Sequence, residues 1–524
     1  MSDALTPDRM PDTPAGPSSY LQILRSTAMI GASSIIVLFF SLVRMKVLAL
    51  LLGPAGVGLM GLYSSVLDLT TAVAGMGVQS SGVRQIAEAT GTGDDRVIAT
   101  TTRALKWTSL ALGILGGLGL AALSLPVSFL TFGSGQYATA IALLGIAVLL
   151  RIVSGGQSAL IQGLRRISDL ARINVYSAVV GTMVSVPLIY FLGEIAIVPS
   201  LIVTGVVSLI IAWWYQRKIK LDVPREEIGP IGGEARSLLR LGAVFMITGF
   251  LAMGGAYVIR IIVLHASGVE AAGLYQAAWS VGGLYAGFVL QAMGADFYPR
   301  LSAIAKDDEA VNRMVDEQAR ISILMAAPGV IGTITLAHLV MTVFYSAEFA
   351  AAETLLRWIC LGMMLRIIAW PLGYVVLAKG AQWTFFWTEL AATIVQVGLA
   401  ALLVPMVGIN GAGMAFVGLY IWHSILIYWV VRSMSGFRYS RESLWLGLIY
   451  LPLTVLAFAG FAVLPFWPAI VFGLVLSAAS GLYSLHAILT LLPLEAMPKA
   501  VRPMLAKFLP KPRGPLTVTG EQAS

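Results

Sequence analysis

Long apolar runs separated by short polar breaks fill this chain, and fourteen of them are long enough to span a membrane. They lie near 27–51, 57–80, 104–130, 138–162, 173–193, 195–214, 241–264, 271–295, 320–345, 355–378, 384–405, 410–431, 443–464 and 468–492. Crossing the hydrocarbon core of a bilayer takes about 20 apolar residues, and the longer runs are compatible with tilting. Proline inside a run, as at Pro187 and Pro371, is tolerated where neighbouring helices satisfy the freed backbone groups. The pattern predicts an all-α polytopic membrane protein with 14 transmembrane helices. Its expected parts are a polar, proline-rich tail over 1–24, helices one to six over 25–215 and a charged linker over 216–240. Helices seven to twelve follow over 241–433, a further helix pair over 434–494 and a second tail over 495–524. The first residues carry no cleavable signal pattern and read as a disordered cytoplasmic segment.

Composition agrees. Only 11% of the residues are charged and mean hydropathy is +0.86, against roughly 25% charge in a soluble fold. With the N-terminus inside, 28 of the 34 Lys and Arg residues fall on the inner side, counting Lys106 and Arg320 at the inner ends of their spans, and the other six lie deeper within spans. Basic residues resist translocation, so this asymmetry puts both termini in the cytoplasm. The net charge of +8 is thus topogenic first and lends no support to a nucleic-acid partner. Outer connections such as "GPAG", "FGSGQY" and "FWP" are short. They weigh against a polytopic glycosyltransferase, antigen polymerase or ligase, whose chemistry needs an extended outer loop. A single cysteine, Cys360, excludes an internal disulfide, and four scattered histidines have no ligand spacing. No phosphate loop is present, so neither a metal nor a cofactor is expected.

The chain also repeats itself. "GVGLMGLYSS" (56–65) matches "GVEAAGLYQA" (268–277) at five of ten positions, an offset of 212. Extending that register sets Gln79 against Gln291 and Gly82 against Gly294. At the nearby offset of 215, "LLRIVS" (149–154) meets "MLRIIA" (364–369), and Arg151 falls on Arg366. Six spans separate the copies, so both halves share one orientation. The expectation is two six-helix lobes related by a pseudo-two-fold axis along the membrane normal, with the substrate site at their interface.

The stretch "LALLLGPAGVGLMGLYSSVLDLTTAVAGMGVQSSGV", the turn "FGSGQY" and the segment "AEFAAAETLLRWICLGMMLRIIAWPLGYVVLAKGAQWTFFWTEL" carry a resemblance to a known family. They resemble the O-antigen and enterobacterial common antigen lipid-linked oligosaccharide flippases of the multidrug/oligosaccharidyl-lipid/polysaccharide exporter superfamily. The likeness covers roughly residues 25 to 433 as a spread of weak motifs. Spans thirteen and fourteen depart from a twelve-helix pattern and are more like the lipid II flippases. The resemblance implies the bacterial cytoplasmic (inner) membrane and an undecaprenyl-diphosphate-linked oligosaccharide as substrate. Membrane lipid and the polysaccharide polymerase and chain-length machinery are its implied partners.

Charges inside the spans are the candidate chemistry. A cation at a helix centre costs about 2.5–3.5 kcal/mol on insertion scales. Asp68 on span two, Arg151 on span four and Arg366 on span ten lie near mid-membrane. Arg44 and Lys46 fall in the outer half of span one, Arg260 in the outer half of span seven, and Glu389 at the inner end of span eleven. The resemblance implies that Arg44, Asp68, Arg151, Arg260 and Arg366 face a central cavity. A water-filled cationic cavity suits a diphosphate, which a guanidinium grips through two parallel hydrogen bonds. Other readings compete residue by residue. Lys46 and Arg357 are close enough to the outer interface to snorkel, Asp68 is equally suited to pairing with an arginine, and Glu389 suits a structural pair with Lys379. Trp279 and Trp370 lie deep enough to line a sugar path, although core packing is the expected role of both. The expected function is a flippase moving the lipid-linked oligosaccharide to the outer leaflet by alternating access. Alternatives are a lipid II flippase, a cation-coupled drug exporter, which would carry more acids than cations in its cavity, and a polyprenyl-sugar membrane enzyme.

Overall fold

The structure, a computed structural model, describes residues 17–219 and 229–491. The expected tails before 17 and after 491, and residues 220–228 of the expected linker, lie outside these. No strand occurs among the described residues. The helices are α1 (Pro17–Ala74), α2 (Val78–Thr92), α3 (Asp95–Ala122), α4 (Ser124–Phe132), α5 (Ala138–Gly163), α6 (Ile167–Leu192) and α7 (Ile197–Gln216). There follow α8 (Gly232–Ala303), α9 (Asp308–Thr335), α10 (Ala337–Phe344), α11 (Glu353–Ala378), α12 (Gln382–Val407), α13 (Asn410–Ser435), α14 (Arg441–Val463) and α15 (Phe466–Leu491). Pro17 opens α1 inside the stretch expected to be tail; proline suits the first helical position because its missing N–H would be unpaired there anyway.

This is a multi-pass membrane protein. Among the described residues ten helical segments are long and apolar enough to cross a membrane, or eleven if the pair α9–α10, bent by 81°, counts as one. Fourteen separate spans were expected. Three of the ten segments are much longer than a single crossing needs. Ser33–Ala74, Ile167–Gln216 and Gly232–Leu284 have 42, 50 and 53 residues; at about 1.5 Å per residue even the shortest is about 60 Å long, twice the hydrocarbon core. Two of them turn at a glycine: Gly53 (φ 61, ψ −166) in α1 and Gly268 (φ 86, ψ 176) in α8. A Cβ in that positive-φ, extended region, which is essentially glycine's alone, costs about 1–3 kcal/mol, and after Gly53 the fixed φ of Pro54 restarts the helix.

These landmarks set the register of the repeat. Gly53 and Gly268 are 215 residues apart, as are Arg151 and Arg366. Helices α5 and α11 begin at 138 and 353 and end at 163 and 378; α6 and α12 run 167–192 and 382–407. The offset is 215 in each case. The word match at 212 differs from this offset by three residues, close to one helical turn.

By packing, the described residues form two compact units, each drawing on both halves of the chain. The first holds everything up to Val281 together with His338–Trp358 and Phe386–Leu419. Its core joins Tyr63, Val66 and Leu67 of α1 to Leu144, Ala147, Val148 and Ile152 of α5. Helices α3 and α5 touch backbone to backbone: a Cβ on Gly117 would stand 2.5 Å from the carbonyl oxygen of Gly145, and one on Gly145 would stand 2.4 Å from that of Gly117. The two kinked helices also meet here, since a Cβ on Gly58 or on Gly273 would each come within 2.9 Å of the other's amide nitrogen.

The second unit holds Gly282–Ala337, Ile359–Phe385 and the described residues from Tyr420 onward. One face of α9 binds the α13–α14 connection at successive turns. The Asn312 side-chain amide donates to the Ser435 carbonyl (2.7 Å), Asp316 accepts from the Ser440 amide (3.0 Å), and Arg320 pairs with Glu442 (2.5 Å). Further along, Ser477 donates to the Pro328 carbonyl at 3.2 Å, and Tyr450 is hydrogen-bonded to Ser484. Helices α14 and α15 are thus bound into this unit by polar contacts as well as by apolar packing.

Candidate functional site

In the first unit, the packing of α1 on α5 sets the position of two charges. Leu67 and Ile152 are buried in the shared core, so their neighbours Asp68 and Arg151 emerge together at its edge. The Arg151 guanidinium donates to Asp68 at 2.5 Å, with half of the arginine side chain (50%) and 37% of the aspartate exposed. Of the two readings open to Asp68, pairing with an arginine is the one this contact matches. Arg260 of α8 donates to the Gln276 side chain at 2.8 Å and to the Ala256 carbonyl at 3.3 Å, and Gln276 donates in turn to Ser280 at 3.1 Å. That chain of bonds braces α8 on both sides of the Gly268 turn. Arg44, half-buried on α1, has neither a hydrogen bond nor an ion pair among the described residues.

Two cations expected to snorkel do otherwise. Arg357 is 5% exposed and pairs with Glu353 one turn away on the same helix at 3.4 Å, so its side chain is held inside the packing rather than reaching out. Lys46 donates at 3.0 Å to the Thr342 carbonyl in the last turn of α10, where unpaired carbonyls favour a cation. In the second unit Lys379 pairs with Asp308 and donates to the Ala305 carbonyl at 3.4 Å.

Arg366 belongs to the second unit and is differently placed. Its guanidinium lies over the ring of Trp370 (4.8 Å) and faces that of Tyr420 (5.9 Å). Among the described residues no carboxylate pairs with it, and its Nε is buried without a hydrogen-bond acceptor. The indole N–H of Trp370 is in the same state. Both side chains line an open pocket of about 550 Å³ with Tyr298, Tyr374, Met363, Leu290, Gly283 and Gly287. Tyr374 stands edge-on to Trp370 at 6.0 Å and tilted against Tyr298 at 5.6 Å. A Cβ on Gly283 or Gly287 would meet nothing within 4 Å, so the glycines leave that side of the pocket empty. Trp370 thus lines a pocket where core packing was expected. Trp279 does pack, against Tyr275 (6.1 Å) and Phe416 (5.1 Å) in the first unit.

At the repeat offset the two arginines have contrasting neighbours. Gly283 stands 215 residues after Asp68, Trp370 after Gly155 and Tyr374 after Ala159. Where the first half has an acid and two small residues, the second has open space and two aromatic rings. The signal is visible in the sequence once "RIVSGGQSA" (151–159) is written beside "RIIAWPLGY" (366–374). Among the described residues no group of three His, Cys, Asp or Glu could hold a metal ion.

The family described as "Polysaccharide biosynthesis protein" matches residues 47–353. The lipid III flippases of Escherichia coli (strain K12) and Shigella flexneri are each 22% identical over 417 residues, 76% of this chain and 96% of theirs. Among solved structures, the lipid II flippase MurJ in an inward closed conformation matches with a TM-score of 0.67 at 15% identity, over 88% of this chain and 100% of that one. An inward-facing multidrug resistance MATE family transporter of the MOP superfamily matches with a TM-score of 0.62 at 18% identity, over 76% and 94%.

Proposed function

The chain belongs to the polysaccharide biosynthesis protein family, and from that premise we propose that it is a flippase for a polyprenyl-diphosphate-linked oligosaccharide. It moves the headgroup from the inner to the outer leaflet of the bacterial cytoplasmic membrane by alternating access. The observation that carries this reading is the Arg366 pocket, a cation facing open space with no acid among the described residues to neutralise it. Such a pocket suits an anionic diphosphate and repels the cationic cargo of a drug exporter. The lipid III flippase relatives, spanned over 96% of their length, supply the substrate class. MurJ shares the fold over more of this chain, 88% against 76%, which supports counting α14 and α15 within the carrier and keeps lipid II as the second substrate reading.

The topology follows from the same premise. Each double-length helix crosses twice, and with the α9–α10 pair the ten segments become fourteen crossings with both termini cytoplasmic. The offset of 215 shared by α5 with α11 and α6 with α12 supports repeat lobes over 25–215 and 241–433 related by a pseudo-two-fold axis. Arg366 and Arg151 serve the diphosphate, Arg44 and Arg260 guide it outward, and Asp68 is the counter-ion that Arg151 holds when no substrate is bound. The protein is a carrier and no enzyme: translocation draws on the membrane potential or an ion gradient, worth about 2.3 kcal/mol per charge per 100 mV. Its product passes to polymerase and chain-length machinery.

The test uses cells whose only copy is Arg366→Ala. Lipid-linked oligosaccharide accumulates on the inner leaflet at normal protein levels if the reading holds. Normal surface glycan with the variant as sole copy overturns it.

A further inference from the structure

Resting on the flippase reading, we infer that the pocket between α8 and α11 in the second unit is a sugar site. It stacks a pyranose ring on Trp370 while Arg366 takes the phosphate attached to that ring. A hydrophobic cargo alone would not explain what lines it. The walls are three rings, Trp370, Tyr374 and Tyr298, each combining an apolar face with a polar edge. A pyranose has the complementary character, one C–H face and a rim of hydroxyls. Flat rings standing at 84° (Trp370 to Tyr374) and 34° (Tyr298 to Tyr374) enclose a corner, into which a chair-shaped ring fits better than a flat one stacked between parallel walls.

The polar atoms agree. Among the described residues Trp370 Nε1 and Arg366 Nε are donors without acceptors, and a sugar phosphate is rich in acceptors. Arg366 sits on the Trp370 face, which places phosphate recognition and ring recognition on adjoining side chains, as a sugar 1-phosphate requires. A cationic guest is disfavoured by the same guanidinium. The volume, about 550 Å³, lies within the range of small-ligand sites, roughly 300–1,000 Å³. The first half of the chain has no such walls, since Gly155 and Ala159 stand at the equivalent positions.

The experiment compares two ligands on purified full-length protein in lipid nanodiscs: farnesyl diphosphate, and the same molecule carrying one N-acetylglucosamine on its diphosphate. The wild type binds the glycosylated ligand more tightly. Trp370→Ala weakens the glycosylated ligand about tenfold and leaves farnesyl diphosphate within about twofold, the pattern of losing one good contact. Trp370→Phe keeps most of the preference, and Arg366→Ala weakens both ligands. Gly283→Leu tests the site without touching an aromatic: its side chain enters open space, leucine favours the helix more than glycine, and the preference for the sugar is lost. Equal affinity of the wild type for both ligands overturns the sugar site and leaves the flippase reading intact, as does an equal loss of both with Trp370→Ala. Binding of neither ligand by the wild type overturns the flippase reading itself.

Discussion

Arg151 and Arg366 sit in nearly the same short word, on helices of the same length, 215 residues apart, and yet their charges are accommodated in opposite ways. Arg151 has a carboxylate at 2.5 Å. Arg366 has an indole face at 4.8 Å and opens onto a pocket. The difference shows two solutions to one problem, a guanidinium that the bilayer disfavours. An internal acid neutralises the charge permanently unless something displaces it. An aromatic face stabilises the cation by about 0.5–2 kcal/mol and leaves its outer edge available to a ligand. The two similar words thus keep the arginine but surround it differently.

The comparison breaks most sharply if the acid is transplanted. Gly283 stands where Asp68 does in the first half and lines the Arg366 pocket. Gly283→Asp should give Arg366 an internal counter-ion and weaken farnesyl diphosphate by about thirtyfold or more, since a close charge pair is worth about 2–5 kcal/mol. Isothermal titration of the variant in nanodiscs reads this directly. Wild-type affinity in Gly283→Asp would mean that the missing acid is not what makes Arg366 available.

Lysine substitution gives a smaller contrast. Arg366→Lys keeps the charge but loses the planar fork and its seat on Trp370, and a loss of about tenfold in diphosphate affinity is expected. Arg151→Lys still reaches a carboxylate with a point charge and should lose under about threefold. Equal losses at the two sites would remove the distinction between them.

How far the sequence shows this is instructive at particular residues. Hydropathy marks the membrane segments, and the two arginine words point to 151 and 366 without any coordinates. The register is harder to read. "GVGLMGLY" and "GVEAAGLY" share more letters at 212 than their kinks share at 215. Letter identity weighs a conserved-looking word above a single backbone turn, although the turn at Gly53 and Gly268 is what the fold repeats. At the offset of 212, Asp68 is not written beside Gly283, and the contrast between an acid and a glycine goes unseen. For Arg357 the distance from the interface is legible in the chain but its burial, 5% exposure, is not. Trp370 was misjudged for the converse reason, since a deep tryptophan packs by default and only the two open glycines show space beside it.

The smallest expected effect concerns the ion pair in the first unit. With 50% of Arg151 and 37% of Asp68 exposed, the pair resembles a solvated one, worth about 0–1 kcal/mol. Asp68→Asn should therefore lower thermal stability only slightly, since the amide still offers an oxygen to Arg151 and the core beneath it is unchanged. Its effect on binding should have the opposite sign. A diphosphate no longer competes with a carboxylate for Arg151, so affinity should rise by roughly two- to fivefold, the free energy of the lost pair read as a binding constant. Because salt screens the pair in the wild type, the gain should shrink as ionic strength increases, and comparing low with high salt separates competition from a general change in structure. Weaker binding by Asp68→Asn at both salt concentrations would mean that Asp68 itself contacts the ligand, and the two arginines would then differ less than their neighbours suggest.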